Sequence, residues 1–135
     1  MEYTMTENGF QSEFEYGTLD ISSQDEFGFR PYALLVSSIA VCSGGVLRKV
    51  LGKMRMDFDD IKIKADVKRN PDVANRVEEI KLHFSIYGND IQEKKVEKAL
   101  ELTRKNCAMV QSVQDSIKIE ESYEIKKQDD GFPAS

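Results

Sequence analysis

The organisation of this chain follows from residues 28–47, which read GFRPYALLVSSIAVCSGGVL. Pro31 suits the first turn of a helix, because the N–H groups of that turn have no partner within the helix. The residues after Pro31 are apolar or small on nearly every side up to Leu47, and the pattern then becomes amphipathic to about Met54. We therefore predict a helix from Pro31 to about Met54 whose first half is buried on all sides.

Two glycines, Gly44 and Gly45, lie inside this predicted helix. Each costs about 1 kcal/mol relative to alanine in a helix interior, so a packing reason is expected. Small side chains allow another helix to approach closely. We therefore expect a close helix contact here, with a second copy of the chain as one candidate for the partner.

Upstream of this segment, polar residues alternate with aromatic and small ones. Asn8-Gly9 is a strong hairpin signal, and the alternation over residues 10–16 begins directly after it. We predict that residues 2–7 and 10–16 pair, that a third strand follows at 19–22, and that residues 23–29 form a loop.

Downstream of the helix, residues 61–67 and 80–87 alternate between apolar and polar side chains. The turn-forming residues 69–75 between them indicate an antiparallel pair. Asn89 can cap a second helix, with Gln92 three residues later completing a pattern like a capping box.

We predict that this second helix begins after Asn89 and runs to about Lys105. A short helical turn over residues 107–113 and a last strand over 117–125 complete the chain. The element order βββ-α-ββ-α-(α)-β gives an α+β fold. We predict a single domain over residues 1–126 and a flexible tail over 127–135.

Composition limits the classes of function. The 135 residues are 40% hydrophobic and 32% charged, which is typical of one folded domain. The net charge of −5 disfavours nucleic acid as a partner. Residues 1–29 hold seven acidic residues and no lysine or arginine.

No secretory signal begins the chain, and the most apolar stretch, residues 34–47, is too short to span a membrane. We therefore expect a cytoplasmic protein without a membrane partner.

The residues that commonly bind metals or act as nucleophiles are few. The chain has two cysteines, Cys42 and Cys107, and one histidine, His83. Cysteine and histidine alone cannot supply the four ligands of a zinc site here, and no GxSxG, GxGxxG or P-loop motif is present. We therefore predict no metal and no cofactor, and hydrolase chemistry is disfavoured.

The two cysteines lie in recognisable contexts. Residues 28–42, GFRPYALLVSSIAVC, resemble the pattern of the OsmC/Ohr superfamily, in which a proline and a buried apolar helix lead to a cysteine eleven residues later. Residues 99–107, ALELTRKNC, resemble the second cysteine site of that family. The family usually has proline after the second cysteine, whereas Ala108 follows here. The agreement in element order and length extends over roughly residues 1–126.

The resemblance implies an intertwined homodimer with two long central helices and flanking antiparallel sheets. It also implies a peroxidase that reduces organic hydroperoxides without a cofactor. Cys42 would attack the peroxide and pass through a sulfenic acid, and Cys107 would resolve it as a disulfide. An external dithiol would then restore both thiols.

A peroxidatic thiol must have a lowered pKa, which we expect a nearby cation to provide. In the organic hydroperoxide branch an arginine from the N-terminal segment does this, held by a glutamate beside the proline. Here no lysine or arginine precedes Arg30, and Tyr32 and Ala33 follow the proline. Arg30 is therefore the candidate catalytic cation. Arg48 or Arg104 across a dimer interface is an open alternative.

A second class of function also fits the sequence, namely a non-peroxidatic dimer of the same fold that binds an apolar ligand or serves as an interaction module. Aromatic residues near the N-terminus could line an apolar pocket or form core. Those aromatic residues are Phe10, Phe14, Tyr16, Phe27, Phe29 and Tyr32.

Overall fold

The computed structural model describes residues 1–127. The chain forms two compact units, Met1–Ser37 and the part from Ser38 onward. The fold is α+β, with six strands in two sheets and three helices within the described residues, in the order predicted from the sequence. Of the tail predicted at 127–135, residues 128–135 lie outside the described residues.

The first unit holds a three-stranded antiparallel sheet in the order β1-β2-β3. The strands are β1 (Thr4–Met5), β2 (Phe10–Glu13) and β3 (Thr18–Ile21). The first hairpin turns at Asn8-Gly9 as predicted, with Met5 opposite Phe10. Strand β2 ends earlier than predicted, because Phe14 and Gly17 exchange backbone hydrogen bonds of 2.9 and 3.1 Å and the chain turns at Glu15 and Tyr16.

Helix α1 (Pro31–Lys53) has 23 residues and confirms the predicted helix. By length and composition it could cross a membrane, as could the core helices of soluble proteins, and a third of its apolar 18-residue stretch is buried. Helix α1 is therefore longer than the apolar stretch 34–47, and the prediction that this region is too short to span a membrane is wrong by length.

The second unit contains a three-stranded sheet in the order β4-β5-β6. β4 (Asp60–Asn70) and β5 (Arg76–Tyr87) form the predicted antiparallel pair, and β6 (Lys118–Lys126) runs parallel to β5. A parallel neighbour requires a long crossover, which the helical segments between β5 and β6 supply. The inward residues of β5 are fully buried, namely Ile80, Leu82, Phe84 and Ile86.

Those segments are α2 (Glu93–Asn106) and α3 (Ala108–Val113). The predicted cap at Asn89 is wrong, since α2 begins after Gln92 and no side-chain hydrogen bond caps it. The N–H of Gly88 donates to the carbonyl of Lys126 (3.0 Å), so Gly88 is still bonded to the sheet. The residues directly after it connect the sheet to α2. The buried face of α2 carries Val96, Ala99, Leu100 and Thr103.

Helix α1 buries one face only. Ile39, Ser43, Leu47 and Leu51 follow one another at intervals of four residues and are all 0% exposed, whereas Val41 is 69% exposed. The expectation that the first half is buried on all sides is therefore wrong for the single chain.

In the single chain, the close contact at Gly44 is made by a strand rather than a helix, and the expected contact with a second copy stays a prediction. A Cβ atom on Gly44 would collide with the side chain of Ile63 in β4, whereas a Cβ on Gly45 would meet nothing within 4 Å. Gly44 therefore allows α1 to pack closely on the sheet.

Candidate functional site

The two cysteines lie at the corner between α2 and α3 and on the facing side of α1. Cys107 ends α2 and caps the start of α3, with extended backbone angles of φ −82° and ψ 108°. Both residues are free thiols; Cys107 is buried and Cys42 is half-buried. The fold therefore places one half-buried and one fully buried cysteine in the same region.

The two side chains are hydrogen-bonded to each other. Cys42 and Cys107 are 65 positions apart in the sequence. The structure thus brings together the two residues that the family resemblance selected.

The Cys42 thiol has a pKa lowered from its ordinary value. Burial is the largest single influence and raises the pKa, but hydrogen bonds outweigh it. The donors are the backbone N–H of Met109, the Cys107 side chain and the backbone N–H of Ala108. Cys42 is therefore the thiol better suited to ionise and attack.

The Cys107 thiol has the opposite tendency. Burial raises its pKa most strongly, and the neighbouring Cys42 raises it further. Two donors oppose this increase: the hydroxyl of Ser43 at 3.4 Å and the N–H of Val110 at 3.5 Å from the sulfur. At neutral pH Cys107 is therefore protonated and can donate its S–H to Cys42.

Two of the three candidate cations, Arg30 and Arg104, have partners of their own. The Arg30 guanidinium lies 4.8 Å from the centre of the Tyr32 ring, just ahead of α1. Arg104 Nε donates to Glu121 Oε1 at 2.9 Å. Arg48 is exposed beside a groove of about 230 Å³ that Val41 also lines.

The donors that lower the Cys42 pKa are two backbone N–H groups and a second thiol. Their role as donors to Cys42 was not predicted from the sequence. One feature of the sequence could have indicated these donors: Cys107 stands directly before a short helix, whose first N–H groups lack intrahelical partners. Nothing in the local sequence around Cys42 indicates those donors, because they come from the other end of the chain.

Two other observations bear on hydrolase chemistry and on metal binding. His83 lies on the sheet, with Nδ1 2.7 Å from Ser122 Oγ and Nε2 3.7 Å from Glu124 Oε2. Within residues 1–127, no group of three or more histidine, cysteine, aspartate or glutamate side chains could hold a metal ion.

The unit Met1–Ser37 contains an apolar cleft of about 460 Å³. Three aromatic side chains that line the cleft are at least 39% exposed, namely Phe14, Tyr16 and Phe29. The residues that line the cleft are Phe14, Tyr16, Gly17, Thr18, Leu19 and Phe29. A cleft of this size and composition is suited to an apolar ligand.

Comparison with known proteins extends this description. Residues 23–122 match a family model described as OsmC-like protein. The chain is 26% identical over 96 residues to Protein YhfA of Escherichia coli, a match that covers 70% of this chain and 72% of that protein.

Two solved structures share the fold over most of the chain. A hypothetical protein from Aquifex aeolicus has a TM-score of 0.84 at 30% identity, covering 93% of this chain and 94% of that one. A protein from Legionella pneumophila described as an organic hydroperoxide resistance protein has a TM-score of 0.70 at 15% identity, covering 90% of this chain and 93% of that one.

Proposed function

The chain belongs to the OsmC-like protein family, and from this premise and the paired thiols we propose that it is a thiol-dependent peroxidase that reduces organic hydroperoxides. The observation that carries the proposal is the hydrogen-bonded pair of Cys42 and Cys107, in which the more accessible thiol has the lowered pKa. The structural relative from Legionella pneumophila, named for organic hydroperoxide resistance, supports the choice of substrate class.

The first half of the proposed cycle is attack of the Cys42 thiolate on the terminal oxygen of the hydroperoxide. The S–O bond forms as the O–O bond breaks, and the alkoxide leaves as an alcohol after it takes a proton. Cys42 is then a sulfenic acid. The N–H groups of Ala108 and Met109 stabilise the thiolate before the attack.

The second half closes and reopens a disulfide. Cys107 attacks the Cys42 sulfur, and the hydroxyl group departs as water with the proton from Cys107. An external dithiol then exchanges with the Cys42–Cys107 disulfide, so that the dithiol is oxidised and both protein thiols return. Dependence on a dithiol is consistent with a reducing compartment such as the cytoplasm.

We propose Arg30 as a catalytic residue that adds positive charge at the thiolate. We also propose that the chain forms a homodimer. The dimer is supported by the face of α1 that the single chain leaves open, where Val41 is 69% exposed and Gly45 has free space. Arg48 lies beside that face, in the groove that Ile61 and Ile63 also line.

The test is peroxide-dependent loss of thiols. With tert-butyl hydroperoxide, the wild-type chain should lose two titratable thiols and gain a disulfide peptide linking Cys42 to Cys107, detected by mass spectrometry. Cys42→Ser should abolish hydroperoxide consumption. Cys107→Ser is the matched control, since it should complete one turnover and stop at a sulfenic acid that dimedone traps. Consumption that survives Cys42→Ser would overturn the proposal.

The alternative is a member of the same fold that binds an apolar ligand without redox turnover. The aromatic cleft in Met1–Ser37 favours it. Saturable binding of a fatty acid by the Cys42→Ser variant, together with no hydroperoxide consumption by the wild type, would select this alternative.

A further inference from the structure

Ser43 directly follows Cys42 in α1, but its side chain is hydrogen-bonded to the other cysteine, Cys107. Its hydroxyl is fully buried and donates to the Cys107 sulfur at 3.4 Å. A buried hydroxyl can hydrogen-bond a backbone carbonyl of its own helix, as that of Thr103 does with Ala99 at 2.8 Å. Ser43 is instead oriented toward a reactive atom.

The accessibility of the two sulfurs determines the direction of thiol exchange. Cys107 is 0% exposed, whereas Cys42 is half-buried. A reductant can therefore attack Cys42 Sγ, and Cys107 must be the sulfur that leaves. A leaving thiolate in a buried site needs donors within the protein.

On the basis of the proposed peroxidase cycle, we propose that Ser43 is a catalytic residue that stabilises the Cys107 thiolate when it closes the disulfide and when it leaves. In reduction, a new S–S bond forms between the reductant and Cys42, and the Cys42–Cys107 bond breaks. Its electron pair goes to Cys107, where the Ser43 hydroxyl donates to the sulfur. The second thiol of the dithiol then displaces Cys42, so the dithiol ends as a disulfide.

The groups around the Cys107 sulfur make this role testable by pH. Within residues 1–127, the titratable group that faces it is the Cys42 thiol from α1, and the other partners are the neutral Ser43 hydroxyl and the N–H of Val110 in α3. Burial raises the pKa of Cys107 and the Ser43 hydroxyl lowers it. Removal of the hydroxyl should therefore shift disulfide closure to higher pH.

The experiment compares Ser43→Ala with Thr103→Val, which removes a buried hydroxyl that does not contact sulfur. Diamide, which converts two thiols to a disulfide without peroxide, is used to close the Cys42–Cys107 disulfide over a range of pH. Dithiothreitol then reopens it. Acid-quenched samples are quantified by mass spectrometry, and thermal unfolding checks that each variant is folded.

In Ser43→Ala we expect closure and reopening to be about 10-fold slower near neutral pH, which is the effect of losing one hydrogen bond to a charged sulfur. The pH midpoint of closure should rise, while alkylation of Cys42 should stay within about 2-fold of wild type. Thr103→Val should resemble wild type in all three measurements.

Each outcome separates this role from the peroxidase itself. Wild-type rates in Ser43→Ala, or slower rates at every pH with an unchanged midpoint, would overturn the role of Ser43 and leave the peroxidase standing. If the wild type does not consume hydroperoxide but Ser43→Ala still slows the diamide reaction with a raised midpoint, the peroxidase fails and Ser43 keeps its role. If diamide forms no Cys42–Cys107 disulfide, both proposals fail.

Discussion

Two cysteines of the same chain differ in acidity because their hydrogen-bond donors and their exposure differ. Burial disfavours a thiolate at both positions. At Cys42 two backbone N–H groups and one thiol reverse that effect, so its pKa falls, whereas at Cys107 two donors do not, so its pKa rises. Alkylation of Cys42 should therefore be half-maximal at a lower pH than alkylation of a free cysteine.

Ala108→Pro tests the backbone donors. Proline has no N–H, so the variant removes one donor to Cys42, and we expect the alkylation midpoint of Cys42 to move to higher pH. Position 108 is the first residue of α3 and follows an extended residue, where proline is well tolerated. Ala108→Gly, which keeps the N–H, should leave the midpoint unchanged. An unchanged midpoint in Ala108→Pro would show that this N–H does not activate Cys42.

Arg30→Ala tests the proposed cation. Loss of positive charge near a thiolate raises its pKa, so we expect the alkylation midpoint of Cys42 to rise and the rate of hydroperoxide consumption to fall about 10-fold. Arg30→Lys should retain most of both, and Lys64→Ala, which removes an exposed cation of β4, is the control for loss of a positive charge. If the midpoint does not move in Arg30→Ala, the backbone donors alone activate Cys42.

At the scale of elements, one ion pair joins the last turn of α2 to β6. Arg104 Nε lies 2.9 Å from Glu121 Oε1; the glutamate side chain is 1% exposed and the arginine side chain 54% exposed. Glu121 Oε2 is buried and has no hydrogen-bond partner among residues 1–127. The carboxylate therefore depends on Arg104 far more than the solvated arginine depends on it.

This asymmetry predicts that substitutions of the two partners lower the free energy of unfolding by different amounts. Arg104→Met leaves a buried carboxylate without its partner and should lower the free energy of unfolding by about 3 kcal/mol. Glu121→Leu leaves an arginine that water can solvate and should cost less than about 1 kcal/mol. Urea unfolding of both variants measures the difference. Equal losses, or a greater loss in Glu121→Leu, would contradict this interpretation.

At the scale of the whole molecule, the single chain leaves apolar surface open along α1. Val41 is 69% exposed, next to the groove that Ile61 and Ile63 line. Contiguous exposed apolar surface of this kind marks interaction sites. A second copy of the chain is the partner that we propose for it.

Val41→Glu should therefore convert the proposed dimer to a monomer, because burying a carboxylate in an apolar interface is costly. Sedimentation velocity or light scattering of the purified chain measures the change. Val73→Glu places the same charge on an exposed valine in the turn between β4 and β5 and should remain dimeric. A wild-type monomer, or a dimer that tolerates Val41→Glu, would overturn the proposed interface.

The element order, the α+β class and most strand and helix bounds could be predicted from the sequence. Each depends on residues close together in the chain, such as the period of two in β4 and the proline at the start of α1. Errors arose where a neighbour from elsewhere intervened. In the single chain, Gly44 packs against Ile63 of β4 and not against a helix. Helix α2 begins after Gln92 and not at Asn89, because Gly88 is still hydrogen-bonded to the sheet.

The two cysteines were selected by their sequence contexts, but the groups that distinguish them were not. The donors to Cys42 are residues 107–109, and the hydroxyl at Cys107 belongs to Ser43, more than 60 positions away. No local pattern encodes such a pairing, because a hydrogen bond needs two groups within about 3.5 Å and that distance exists only once α1 and the α2–α3 corner have packed together.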